Sequence, residues 1–196
     1  MSTEKKKVVT MTLDENGIKG VRAISFVDFP ATEENFIALQ NMNLKLSAED
    51  EERRMVYGAV LIPDKLILRT DKKTNEPFYI TFPSETIRAS AYAYMKQGNQ
   101  HNHTFMHEFN VQGATVVESW IKEGDSDKSV ELGMQLPVGS WIVGVKVDND
   151  ELWQRIKSGE VKGFSVEAVY DFFKEGQEDD LENELKKLMD EIESML

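Results

Sequence analysis

The chain has 196 residues and a mass of 22.4 kDa, which fits one domain, or one domain with a short appendage, and leaves no room for two enzyme domains. A hydrophobic share of 40% with 10 Phe, 9 Met and 3 Trp supports a real core and excludes wholesale disorder. The charge balance, 23 basic against 35 acidic residues for a net −12, disfavours binding to nucleic acid or to anionic membranes, so neutral or basic partners are expected. Cysteine is absent, which excludes disulfide scaffolds, thiolate metal sites and cysteine nucleophiles. Lys5, Lys6 and Lys7 have no apolar run behind them, and no stretch approaches the roughly 18 apolar residues of a membrane span, so a cytosolic protein is expected.

In chain order, VVTMTL and VRAISFV read as strands, and Asn16-Gly17 between them predicts a hairpin. Thr32-Glu33-Glu34-Asn35 before FIAL predicts a short capped helix, and LSAEDEERR a surface loop. MVYGAVLI, KLILRT and FYITF, broken by Pro63-Asp64 and by Lys72-Lys73-Thr74-Asn75, predict a β-meander. Ser84 opens a helix whose apolar positions Ile87, Ala91, Tyr94 and Met95 recur at helical steps and which stops at Gly98. A polar loop, NQHNHT, follows.

Strands resume at ATVVESWI, SVELGMQL and WIVGVKV. Asn149 caps a helix through DELWQRIK that ends at Gly159, and GFSVEAVYDFF reads as the next strand. Residues 1–175 therefore form a β-dominated α+β domain, expected as a closed or half-closed antiparallel sheet with peripheral helices. Residues 176–196 differ in composition. Leu181, Leu185, Leu188, Ile192 and Met195 form one helical stripe, and from Lys174 onward nine acidic residues face three lysines, for a net −6. Such a C-terminal amphipathic helix needs a partner: its own domain, a second copy, or another helical protein.

The three histidines, His101, His103 and His107, fall within seven positions. His101-x-His103 with Glu108 and Gly113 resembles the first cupin motif, in which two His and a Glu bind a metal inside a β-barrel. The run Pro137-Val138-Gly139-Ser140-Trp141 then ends in Ile142, where the second cupin motif has its third imidazole. His101 and His103 thus read more simply as solvated loop residues, and no metal or cofactor is expected. His107, at the end of the polar run, is placed to act as a base. Ser165 is the only polar uncharged residue between Gly163 and Phe173, and Gly163 before it lets another backbone come close. There is no GxSxG elbow, and Lys162 sits at an odd step from Ser165, on the opposite strand face. The three tryptophans read as core.

Four stretches carry a family resemblance: IKGVRAISFVDFPATEENFIAL, YGAVLIPDKLILR, the His107-Glu108 to VESWI block, and LPVGSWIVGVKVDNDELWQRIKSGEVKGFSVEAV. Over roughly residues 18 to 170 the chain resembles the XkdF-type phage serine proteases, a branch of the tailed-phage head maturation proteases. The resemblance implies a herpesvirus-type assembly protease fold, an antiparallel β-barrel ringed by helices. It also implies a serine nucleophile at Ser165 and a histidine base at His107. No histidine follows His107, so the second histidine of the herpesvirus enzymes is missing, and the orienting group is a carboxylate, a water or absent. Glu118 is preferred as the nearer in sequence to His107; Glu167 shares a strand face with Ser165. The implied substrates are phage scaffold protein, major capsid protein and the protease itself, inside the immature head in the bacterial cytoplasm. The rival readings are a non-catalytic assembly protein docking through its acidic tail, and a metal-binding barrel using His101, His103 and Glu108.

Overall fold

The computed structural model describes residues 6–13, 20–32, 37–38, 53–71 and 74–173. Its first half runs through strands β1 (Val8–Thr12), β2 (Gly20–Val27), β3 (Ile37–Ala38), β4 (Met55–Leu61), β5 (Ile67–Thr70) and β6 (Pro77–Thr81) to helix α1 (Ser84–Lys96). Then follow β7 (His103–Phe105), β8 (Phe109–Val111), β9 (Ala114–Ile121), α2 (Lys128–Glu131), β10 (Trp141–Val147), α3 (Asp150–Lys157), β11 (Gly163–Val169) and β12 (Asp171–Phe173). The strands make three four-stranded sheets, ordered β12-β1-β6-β5, β3-β4-β10-β9 and β11-β2-β7-β8. This is a β-dominated α+β architecture. Among the described residues the sheets are not closed into a barrel: β11, at the edge of the third sheet, lies alongside β4 without a hydrogen-bonded ladder.

The main core runs between the sheets and the helices, with a smaller cluster of Ala59, Ile62, Leu136 and Ile142 beside it. Trp141, Trp153, Tyr94, Phe26, Phe82 and Phe164 are its largest fully buried side chains. Burying each contributes roughly 1.5–3 kcal/mol of transfer free energy. Helix α1 turns Ile87, Ala91 and Tyr94 inward, and the Tyr94 ring stands edge-on to Trp141 at 5.4 Å between centroids. Met95 of the same stripe lies at the exposed margin. The Asn149 carboxamide oxygen accepts from the Leu152 N–H at 2.8 Å, starting α3 as the sequence predicts, and Leu152, Trp153 and Ile156 pack inward. A cap of this kind contributes about 1 kcal/mol. Gly144 in β10 answers a close approach: a Cβ there would lie 2.5 Å from Tyr57 Cε1 and 3.2 Å from Glu118 Cβ.

Four local expectations are corrected. The strands β1 and β2 do not pair as a hairpin, because β1 pairs antiparallel with β12 and parallel with β6, while β2 belongs to another sheet between β11 and β7. Asn16-Gly17 itself lies outside the described residues. Only half of the meander forms: β5 and β6 pair antiparallel, but β4 pairs with β10 and β3. SVELGMQL is not a strand. Asp127 caps α2 there through the Ser129 N–H, and Gly133 follows at φ 80°. Of the predicted helix after Thr32, Ile37–Ala38 form β3, and residues 33–36 and 39 lie outside the described set, as does the whole acidic tail, 176–196.

Candidate active site

The third sheet sets Ser165 of β11, Ser25 of β2 and Thr104 of β7 side by side as partners across the ladder. Directly opposed residues project to the same face, and so does Glu167, two residues beyond Ser165. The other face is apolar: Phe26 lies 5.4 Å from Phe164 and 5.5 Å from His103, centroid to centroid. A sheet with aromatic rings on one side therefore carries a row of hydroxyls and a carboxylate on the other.

His107 reaches that polar face from the turn between β7 and β8. Met106 and His107 have φ of 51° and 61°, and the Glu108 N–H closes the turn on the Phe105 carbonyl at 3.0 Å. Turns with two left-handed central residues are normally built from Asn and Gly. Placing Met and His there costs about 1–2 kcal/mol per residue, so the neighbouring structure must impose it. It does so through β2. The Met106 N–H donates to the Phe26 carbonyl at 3.0 Å, and the His107 N–H donates to the Ser25 hydroxyl oxygen at 3.0 Å.

Glu167 ties the imidazole to the row of hydroxyls. One carboxylate oxygen, Oε1, lies 3.3 Å from His107 Nδ1 and also accepts from the Thr104 hydroxyl. With Nδ1 carrying its proton toward Glu167, Nε2 is the nitrogen left to take a proton. The His107 side chain is 41% exposed. Ser25 is 0% exposed, donates to the Thr104 carbonyl at 3.3 Å and accepts from His107, so its hydroxyl is fully engaged. Ser165 is 7% exposed and its hydroxyl makes no hydrogen bond among the described residues, to His107 or to any other group. Of the two serines, Ser165 is the one whose hydroxyl has no hydrogen-bond partner among the described residues.

Glu118 lies elsewhere. On β9, in the second sheet, it accepts from the Tyr57 hydroxyl at 2.7 Å and from the Lys128 ammonium, whose Nζ sits 4.5 Å from the Tyr57 ring centroid. Burial works against its charge, but the bonds from Lys128 and Tyr57 outweigh that and hold the carboxyl below its usual range. Burial, reinforced by Glu118, pushes the Tyr57 hydroxyl up. The carboxylate that meets His107 is Glu167, whereas Glu118, preferred from its closeness along the chain, meets Tyr57 and Lys128.

The other two histidines are not brought together as ligands. His101 Nδ1 lies 3.1 Å from the Thr115 hydroxyl. His103 is buried in β7, with Nδ1 3.2 Å from the Ile24 carbonyl and Nε2 3.1 Å from the Gln100 carbonyl, so neither nitrogen faces a metal position. No group of three or more metal-ligating side chains occurs among the described residues. Burial pushes the His103 pKa below 6.5, against the pull of the two carbonyls. The folded state then binds fewer protons than the unfolded chain just below about pH 6.5, so this residue's contribution is present above that pH and is lost below it. Melting curves at about pH 7.5 and about pH 5.5 should show a larger drop in Tm for the native chain than for His103→Asn. Equal drops would mean that His103 does not titrate across folding.

A family model described as "Putative phage serine protease XkdF" matches residues 43–174, and the chain belongs to that family. His107, Ser165 and Glu167 all fall within the matched span. Two proteins of Bacillus subtilis (strain 168) are similar. The "Phage-like element PBSX protein XkdF" is 25% identical over 162 residues, covering 78% of this chain and 53% of its own length. The "Uncharacterized protein YqbD" is 26% identical over 151 residues, covering 73% of this chain and 42% of its own length. The chain thus spans about half the length, or less, of these curated relatives. No solved structure matches it.

Proposed function

We propose that the chain is a serine endopeptidase of phage head maturation, with Ser165 as nucleophile, His107 as general base and Glu167 as the residue that orients the imidazole. The observation that carries this reading is the convergence of these side chains on one polar sheet face, with Glu167 holding Nδ1 of a histidine whose backbone is forced into place. In the reaction, the Ser165 oxygen bonds to the peptide carbonyl carbon as its proton passes to His107 Nε2. The C–N bond then breaks, the proton goes to the leaving amine, and water, activated by the same nitrogen, releases the acyl group. A turn of the exposed His107 ring toward Ser165, made as substrate covers the face, completes the pair.

The substrates under this reading are scaffold and major capsid segments within the immature head. Autocleavage and docking through the acidic segment 176–196 belong to the same proposal. The test is covalent. An alkyl fluorophosphonate should modify the native chain at one site, and peptide mapping should place the adduct on Ser165, with His107→Ala protein unlabelled. Labelling at another serine, or none, would overturn the assignment and favour an assembly protein that lacks catalysis.

A further inference from the structure

The outer face of the first sheet carries an open apolar row. Strand alternation sends Val9, Met11, Ile67 and Ile80 into the core, so Val8, Tyr79 and Leu68 point the other way. These three oppose one another across β1, β6 and β5. Val8 is 47% exposed and Leu68 51%, and Leu66, just before β5, is also 51% exposed. Single apolar residues on a surface are ordinary, but a row of them on adjoining strands marks an interaction surface.

Two observations name its occupant. The first is where the chain goes. Strand β12 runs antiparallel to β1 and pairs Phe173 with Thr10, so the chain exits β12 at the Lys7 end of β1, on the edge of this same sheet. Residues 174–180 then precede Leu181, the first of the apolar stripe. At about 3.3 Å per extended residue this connection reaches roughly 23 Å, more than the roughly 14 Å across four strands. The second observation is charge. Residues 6–12, 65–81 and 171–173, which form this sheet and its β5–β6 connection, hold six basic residues against three acidic in a chain of net −12. The Lys6 ammonium stands 5.5 Å from the centroid of the Tyr79 ring, at the margin of the apolar row. Residues 178–184, by contrast, hold five carboxylates and no lysine.

We propose that residues 176–196 fold back on their own chain and cover this face, with the apolar stripe that begins at Leu181 seated on the row of Val8, Tyr79 and Leu68 and the carboxylates of 178–184 facing Lys6 and Lys7. As a helix the stripe from Leu181 to Met195 is about 21 Å long, enough to cross the sheet. Burying it takes both apolar surfaces out of water and supplies the packing that a helix of this length lacks alone. The opposite charges fix its placement, since the rest of the domain is acidic and repels the segment. The inference stands whether or not the chain is a protease. Docking of the same segment on another head component, under the reading above, competes with this fold-back.

The native chain has no cysteine, so one introduced thiol reports on one place. Leu68→Cys in the full chain puts a thiol on the row, and its rate of reaction with a maleimide measures how well the face is covered. Adding Leu185→Lys and Leu188→Lys, which break the stripe, should raise that rate about tenfold or more, and adding Lys6→Glu and Lys7→Glu instead should raise it part of the way. Val117→Cys, at a position 53% exposed on β9 of the second sheet, should react at the same rate with the stripe intact or broken. Leu68→Cys with Leu188→Cys should oxidise to a disulfide within one chain, seen as a faster-running monomer on a non-reducing gel. Equal rates at position 68 with the stripe intact and broken would overturn the fold-back, as would a rise at positions 68 and 117 alike. Protection that fades on dilution, with disulfide-linked dimers in place of the monomer, would also overturn it and put the segment on a second copy.

Discussion

Ser165→Ala should abolish cleavage of scaffold and capsid protein in co-expression while leaving the melting temperature almost unchanged. The two halves of this expectation have separate physical causes. Removing the nucleophile removes the covalent route, a loss on the order of 10⁴-fold or more where serine hydrolases have been dissected. Stability is spared because the Ser165 hydroxyl makes no hydrogen bond among the described residues, so no partner is orphaned by its removal. The expected change is within about 0.5 kcal/mol. Ser25→Ala supplies the contrast. Its hydroxyl bonds both the Thr104 carbonyl and the His107 N–H, so its loss should cost about 1–3 kcal/mol and release the strained turn, lowering both stability and activity. Cleavage by Ser165→Ala at the native rate would sink the assignment, whatever Ser25 does.

Local signals were legible where local physics decides. The Asn149 cap and the stripe Leu152, Trp153, Ile156 define α3 without help from the rest of the chain, and Ser84 to Lys96 read as a helix from periodicity. The β1 to β2 hairpin failed because Asn16-Gly17 is a cue about turns, whereas strand partners are chosen by the whole core: β1 finds β12 from the far end of the described chain and takes β6 in parallel. The site followed the same division. Ser165 is marked as the polar uncharged residue of a β-rich run, and Ser25, alone between Ile24 and Phe26, carries the same mark. Glu167 was legible through strand alternation, yet nothing in the sequence says that β7 lies within one strand of β11, with β2 between them. The left-handed Met106-His107 pair is invisible in the sequence because neither residue favours that backbone; only the bonds to β2 impose it.

Substituting the two candidate carboxylates and the histidine should produce three distinct outcomes. His107→Ala removes the proposed base and should lower kcat by about 10³-fold or more, since the Ser165 hydroxyl then loses the imidazole that would take its proton. Glu167→Gln keeps the size and the Thr104 contact, but an amide can present either its oxygen or its nitrogen to Nδ1, so the tautomer with an unprotonated Nε2 is no longer enforced. Because this pair is partly open to water, the loss should be smaller than for a buried orienting carboxylate, roughly 10- to 10³-fold in kcat, with KM little changed. Glu118→Gln should behave oppositely. Its carboxylate holds Lys128 and Tyr57 on another sheet, so kcat should stay within about threefold while stability falls by up to about 1 kcal/mol, the range for a half-exposed ion pair. Steady-state kinetics and thermal melts on the three variants separate these roles: a kcat loss in Glu118→Gln exceeding that in Glu167→Gln would return the orienting role to the residue nearer His107 along the chain.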